Sequence, residues 1–278
     1  MIKINDLGFS YGNNAVLKDI SMELMDGRIY GLLGENGVGK TTLLTLLAGL
    51  KEPQTGSIEI DGETPFDRLP SFLTNIYYLP DEVPSSRMTA ERFAQERGVF
   101  WKGFDRDKFR EIMDVLETDE SMRMDQMSYG QLKKTYISYA LACNTRYLFM
   151  DEPTNGLDIP SKSQFRKAVS RYTSDESTML ISTHQVRDLE AIIDPIIILD
   201  RKDVLLNASI DEITRKLYFD YSTVIDPEAL YSELIPGGCI QVTVNSTGLE
   251  SKVNIEALFN AVHKHRDLIK KMFNTKNS

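Results

Sequence analysis

The stretch Gly34-Glu35-Asn36-Gly37-Val38-Gly39-Lys40-Thr41 has the residue types and spacing of a phosphate-cradling loop, G-x-x-x-x-G-K-[ST]. Its glycines let backbone N–H groups turn inward around a β-phosphate, and the helix that follows adds partial positive charge. Lys40 is placed to reach the β- and γ-phosphates, and the Thr41 hydroxyl to bind Mg²⁺, with Thr42 next in line as a nucleotide contact. Phosphoryl chemistry needs a second anchor for the cation and a group that orients water. Tyr147-Leu148-Phe149-Met150-Asp151-Glu152 offers both, an apolar run ending in adjacent carboxylates. Asp151 is suited to the Mg²⁺ shell and Glu152 to polarising water against the γ-phosphate. The plainer reading of the two acids is that they cap the next helix. The phosphate loop reads likewise as a Gly-rich turn if its flanking elements are ignored.

Those elements are legible. Ile29-Tyr30-Gly31-Leu32-Leu33 leads into the loop as a buried strand, and Thr41 to Ala48 leads out as a helix stopped at Gly49. Residues 2–9 and 15–25 alternate loosely around the turn signal Tyr11-Gly12-Asn13-Asn14. With Gly56 to Gly62 they predict a small antiparallel sheet. From about Pro84 to Thr145 the pattern is helical, with Phe109, Ile112, Met113 and Leu116 on one face and Ser128 as the N-cap of a helix over Leu132 to Ala142. Strand runs at Tyr147 to Met150, Thr178 to Ser182 and Ile196 to Leu199 alternate with helical runs at Ser161 to Thr173 and Val186 to Ile193. That alternation predicts a mainly parallel sheet covered by helices. Arg201-Lys202-Asp203 reads as a hairpin turn, Tyr221 to Pro227 as a soft boundary, Cys239 to Val244 as a strand and Asn254 to Phe273 as a final helix.

Composition narrows the class. The 278 residues are 41% hydrophobic and 26% charged, ordinary values for a globular protein with a well-buried core. A net charge of −9 argues against a general nucleic-acid binder. Cys143 and Cys239 both fall in apolar runs and read as reduced core residues of a cytosolic protein. The N-terminus lacks the apolar stretch of a secretory signal, and no window holds 18 uncharged apolar residues.

Taken in order, the motifs resemble those of the ATP-binding subunit of an ATP-binding-cassette (ABC) transporter, over about residues 2–215. Tyr11 lies where the family places an aromatic that stacks on adenine. Met127-Ser128-Tyr129-Gly130-Gln131 resembles the signature loop, usually Leu-Ser-Gly-Gly-Gln. Asp151-Glu152-Pro153-Thr154-Asn155-Gly156-Leu157-Asp158 resembles the Walker B segment running into the D-loop at Asp158, and Ser182-Thr183-His184 resembles the switch histidine, a γ-phosphate contact. The resemblance implies an α/β P-loop NTPase fold with a RecA-like parallel sheet core. An antiparallel β subdomain, an α-helical subdomain at about 84–145 and a small C-terminal α/β appendage at 216–278 complete it. It also implies ATP and Mg²⁺ as cofactors, with Thr41, Asp81 and Asp151 on the metal, and Glu152 and His184 as catalytic residues.

Two positions depart from the family pattern. Asp81, in Tyr78-Leu79-Pro80-Asp81-Glu82, stands where Gln is usual. An acid there is still able to ligate Mg²⁺, or is a solvated loop acid. Tyr129 replaces the first glycine of the signature; it either weakens the phosphate contact or faces outward. The signature loop, Ser128 to Gln131, serves another subunit's nucleotide in the family architecture. The resemblance therefore implies a head-to-tail pair of cassettes, driving separately encoded integral membrane permease subunits from the cytoplasmic face of the membrane. The segment Pro80 to Thr89 is expected to touch a cytoplasmic helix of the permease. Tyr78 to Glu82 and the C-terminal region look like those of bacterial exporters of drugs, sodium or lipid-like compounds. The competing readings are a soluble ABC ATPase acting on ribosomes or DNA, and a cassette that binds ATP without turnover. Val253 to Phe273 reads as an amphipathic helix packed on the cassette or used for a regulatory or dimer contact, and His263-Lys264-His265-Arg266 as a solvated face.

Overall fold

The computed structural model describes residues 1–200 and 202–274. Its strands are β1 (Ile2–Tyr11), β2 (Asn14–Leu24), β3 (Ile29–Leu33), β4 (Thr55–Ile60), β5 (Ile76–Leu79), β6 (Tyr147–Asp151), β7 (Thr178–Thr183), β8 (Ile196–Asp200), β9 (Asp203–Ala208), β10 (Leu217–Ser222), β11 (Tyr231–Ile235) and β12 (Gly238–Val244). Its helices are α1 (Lys40–Leu47), α2 (Pro70–Asn75), α3 (Ala90–Gly98), α4 (Arg106–Val115), α5 (Tyr129–Ala142), α6 (Ile159–Tyr172), α7 (Ile210–Lys216), α8 (Ile255–Lys264) and α9 (Arg266–Asn274).

A six-stranded sheet in the order β5-β6-β7-β3-β8-β9 forms the centre. Its strands are parallel except β9, which returns antiparallel to β8. Because both faces are covered, its strands are continuous apolar runs instead of alternating ones. The two faces still separate residue by residue. Leu148, Met150, Met179, Ile181, Ile196 and Ile198 join one hydrophobic core. Tyr147, Phe149, Leu180, Ile197 and Leu199 join the other, shared with β1, β2, β4 and α1. The antiparallel sheet β2-β1-β4 closes that second side, as the alternating N-terminal runs predict.

The helical region matches its periodicity. Phe109, Ile112, Met113 and Leu116 are all buried. Helices α3 to α8 each begin on a side-chain cap: Thr89, Asp105, Ser128, Asp158, Ser209 and Asn254. Each cap satisfies an N–H that the first helical turn leaves unpaired. Cys143 and Cys239 are buried and not disulfide-bonded, and burial pushes the Cys143 thiol well above its usual range.

Several expectations need correction. Val186 to Ile193 is not a helix; it holds one short turn at Val186–Asp188. Pro195 disfavours helical backbone just before it, and the segment instead inserts Leu189 and Ile193 into the core. The final helix is two, α8 and α9, with His265 between them. Tyr221, placed at a soft boundary, lies inside β10, and the C-terminal region adds a second and third strand to β12, in the order β10-β12-β11. β11 buries none of its residues fully, and β10 buries only Leu217 and Phe219, so neither carries the long apolar run that betrays a strand. The hairpin turn at 201–203 has its first residue outside the described ones.

The C-terminal sheet and helices share a core with the preceding residues. Val253, Ile255, Leu258, Ala261 and Val262 share one core with Leu189, Ile193 and Leu206. Arg187 also forms an exposed ion pair with Glu256 of α8. Buried apolar area, not the ion pair, should hold this union. Leu258→Ala should cost about 2–5 kcal/mol in denaturant unfolding, whereas Arg187→Ala should leave the unfolding midpoint unchanged.

Candidate active site

The phosphate loop joins β3 to α1. At Gly39 the backbone takes φ 114°, and a Cβ there would lie 3.0 Å from the side chains of Val16 and Leu17, so the loop needs glycine at this point. Lys40 is buried, and its ammonium donates to the carbonyls of Gly34 at 2.8 Å and Glu35 at 3.2 Å. Glu35 and Asn36 are exposed on the loop, the Val38 N–H turns back to the Glu35 carbonyl at 3.4 Å, and Thr42 is buried behind. Tyr11 is 49% exposed at the end of β1, with its hydroxyl 3.4 Å from Thr42 Oγ1 and Phe9 edge-on at 5.1 Å. A half-exposed ring beside the first turn of α1 presents a face for stacking.

Parallel pairing of β6 with β7 sets Asp151 opposite Ser182. Thr41 Oγ1 donates to Asp151 Oδ2 at 2.6 Å, and Ser182 Oγ donates to Asp151 Oδ1 at 2.5 Å. Both oxygens of this buried acid are therefore oriented. The Glu152 N–H donates to the same Ser182 hydroxyl at 3.1 Å. Glu152 itself adopts φ 44°, a left-handed conformation rare for a non-glycine residue and costing about 1–3 kcal/mol. The bend carries its carboxylate to Lys40 and His184. Glu152 Oε1 lies 3.4 Å from Lys40 Nζ and 2.9 Å from His184 Nδ1, and Oε2 accepts the His184 N–H at 3.4 Å. Glu152 Oε1 is shielded from solvent yet makes no well-aligned hydrogen bond. A buried acceptor without an aligned donor is what a water-orienting base requires.

Tyr78, on β5, faces the same acids; burial first, then Asp151 and Asp81, push its phenol far above the usual range, so it stays a neutral donor. Asp81 is engaged elsewhere. Its carboxylate lies 3.3 Å from Lys133 Nζ and accepts from Asn155 Nδ2 at 3.2 Å on both oxygens. Lys133 is fully buried; burial lowers its ammonium from the usual value, opposed first by Asp81 and further by Asp151 and Glu152.

The structure thus brings Lys40, Thr41, Asp151, Glu152 and His184 together and places the signature loop apart from them. Ser128 and Gln131 form a reciprocal cap on α5, Ser128 Oγ accepting the Gln131 N–H at 3.2 Å and Gln131 Oε1 the Ser128 N–H at 2.9 Å. Among the described residues, neither bonds to the phosphate loop. Gly130 lies against the Gly156 carbonyl, with 3.6 Å from its hypothetical Cβ to that oxygen. Tyr129 is 45% exposed and its hydroxyl donates to the Asp81 carbonyl at 3.1 Å, so it neither faces away nor is unanchored. Asp158 caps α6 by accepting the Ser161 N–H at 2.9 Å, and the Ser161 hydroxyl first, then this N–H, lowers its carboxyl below the usual range. Ser182, Asn155 and Lys133 carry no assigned role in the motifs. For Ser182 the signal is its place near the end of β7, two residues before His184. Nothing comparable reveals the partners of Asp81, which come from two segments distant in sequence, α5 and the turn after β6.

A family model described as "ABC transporter" matches residues 17–155, half of the chain. The uncharacterized ABC transporter ATP-binding protein MJ1023 of Methanocaldococcus jannaschii is 28% identical, the match covering 84% of this chain and 88% of that one. The energy-coupling factor transporter ATP-binding protein EcfA1 of Thermotoga maritima is 33% identical over 68% of this chain and 74% of its own. Among solved structures, an ATP-binding subunit of an ABC transporter superposes with a TM-score of 0.68 at 24% identity, over 77% of this chain and 92% of that one. The ATP-binding cassette MJ0796, a dimer in a post-hydrolysis state with ADP and phosphate, gives 0.66 at 20%, over 75% and 98%. These two share the fold. With the phosphate loop, the carboxylate pair and the histidine converging in that fold, the chain belongs to the ABC transporter family, as an ATP-binding subunit whose ATP hydrolysis drives transport.

Proposed function

We propose that hydrolysis is carried by the group Lys40, Thr41, Asp151, Glu152 and His184, and the observation behind this is the position of Glu152 Oε1, buried between Lys40 Nζ and His184 Nδ1. In this reading Tyr11 stacks on adenine, and the Gly34–Gly39 backbone with Lys40, Thr41 and Thr42 holds the phosphates. Glu152 orients and accepts a proton from the attacking water. His184 donates to the γ-phosphate from the end of β7. Thr41 and Asp151 supply hard oxygen donors 2.6 Å apart, a fit for Mg²⁺. Among the described residues no cluster of three or more His, Cys, Asp or Glu groups forms a cation cage. A site of one carboxylate and one hydroxyl completed by phosphate oxygens is the usual form for this cation. When bound, the cation neutralises charge that develops on the phosphates.

The signature residues Ser128 to Gln131, apart from their own chain's phosphate loop, are proposed to complete the site of a second cassette, with Asp158 at the junction. Residues 1–215 are taken as the cassette and 216–278 as an appendage packed on it. No helix among the described residues is long and apolar enough to cross a membrane, so transport is assigned to separate permease subunits, with this chain on their cytoplasmic face. The proposed direction is export, on the resemblance of Tyr78 to Glu82 to exporter cassettes. An open groove of about 600 Å³ lies between the sheet core and the helical region. Leu50, Leu73, Tyr78, Phe100 and Trp101 line it, Leu50 and Phe100 being largely exposed. An apolar groove of this kind fits a short permease helix.

Two measurements test these assignments. Glu152→Gln keeps the shape and loses the base, so ATP binding should persist while phosphate release falls about 100-fold or more; Lys40→Ala should instead weaken ATP binding by about tenfold or more. Phosphate release by Glu152→Gln at the wild-type rate would remove Glu152 from the mechanism. For the permease, Cys placed at Phe100 or at Ser85, in a background lacking Cys143 and Cys239, should crosslink to a membrane subunit in native membranes. Crosslinking from neither site, with a C-terminal position reacting instead, would move the docking surface to the appendage.

A further inference from the structure

The two departures from the family pattern meet in space. Asp81 lies in the loop after β5, and Tyr129 opens α5, yet the Tyr129 hydroxyl donates to the Asp81 carbonyl at 3.1 Å. One turn further along α5, Lys133 points into the same loop. Its ammonium donates to the Pro80 carbonyl at 3.3 Å and to the Asp81 carbonyl, and it pairs with Asp81 Oδ1 at 3.3 Å. Asn155, three residues beyond Glu152, donates to both carboxylate oxygens at 3.2 Å. The Tyr129 ring also covers the turn after Asn155: a Cβ built on Gly156 would lie 2.4 Å from Tyr129 Cε1. Glycine at φ 76° is what lets the ring approach.

The chemistry of this cluster is charge compensation. An acid at position 81 adds a negative charge beside Asp151, Glu152 and an incoming triphosphate. A fully buried ammonium with, among the described residues, no carboxylate other than Asp81 within ion-pair distance is the matching positive charge. We propose that Lys133 is a positioning residue of the nucleotide site: with Asn155 and Tyr129 it neutralises and holds Asp81, linking the Asp81 loop, the signature loop and the segment behind Glu152 into one unit. The proposal rests on the nucleotide site described above. It places Lys133 in contact with Asp81 and not with nucleotide. The acid at this position is tolerated because its counter-charge is built into α5.

Equilibrium ATP binding by the full-length chain, in EDTA and in Mg²⁺, tests this without relying on turnover. Lys133→Met leaves Asp81 uncompensated, so affinity in EDTA should fall and the enhancement by Mg²⁺ should grow by about fivefold or more. In an Asp81→Gln background the same substitution should change that enhancement by less than about twofold, because there is no charge left to compensate. A purely structural Lys133 would lower affinity by the same factor in both media and both backgrounds, and that result overturns the proposal. Should Lys133→Met not fold, Asn155→Ala provides the comparison. It should raise the Mg²⁺ enhancement by about twofold or more with Asp81 and leave it unchanged with Gln; equal effects in the two backgrounds overturn the proposal. Failure of the wild-type chain to bind ATP in either medium would overturn the nucleotide site itself, a result distinct from any of these.

Discussion

The site depends on keeping two adjacent carboxylates separate and differently aimed at the end of a buried strand. Asp151 and Glu152 are nearly inaccessible to solvent, and like charges so close in a low-dielectric setting repel strongly. The structure resolves this by giving each acid its own partners. Thr41 and Ser182 hydroxyls take Asp151, while Lys40 and His184 take Glu152. The left-handed backbone at Glu152 separates the two directions. Strain at that residue is maintained because its N–H is fixed by both the hydroxyl and the carbonyl of Ser182.

The remaining architecture serves that arrangement. Strand β3 delivers Lys40 and Thr41, β6 delivers the acids, and β7 delivers Ser182 and His184; these strands are neighbours in the order β6-β7-β3. Parallel pairing puts their C-terminal ends on one edge, where open α/β sheets bind ligands. Two cores, one on each face, fix the register, since a one-residue slip of β6 would exchange Phe149 with Met150 between them. Next to this edge, Lys133 brings a second buried lysine, from the helical region, against the Asp81 loop.

Much of this was legible in the residues. Continuous apolar runs mark β3, β6, β7 and β8, and the glycine spacing marks the phosphate loop, because buried parallel strands and phosphate cradles each demand few residue types. Ser128 marked the start of α5 as its N-cap. The failures have physical causes. Val186 to Ile193 carries helical spacing of apolar residues but is held open by Pro195 and by Leu189 reaching the core. β11 has no fully buried residue, and β10 buries only Leu217 and Phe219, too short a pattern to mark a strand. The partners of Asp81 were hidden because Lys133 sits on a helix, where a lysine reads as solvent-facing until packing buries it.

The central claim, that separate side-chain partners split the two acids into a cation holder and a water-orienting base, is tested most directly at Ser182. Ser182→Ala removes the hydroxyl that donates to Asp151 and accepts from the Glu152 N–H, without touching a phosphate-loop residue. Losing a hydrogen bond to a charged group of this kind costs about 1.5–3 kcal/mol, so maximal ATP turnover should fall about 10- to 100-fold. Affinity for ATP should stay within about twofold of wild type, because the phosphate cradle is intact. Turnover at the wild-type level, or an equal loss of affinity and turnover, would contradict the account.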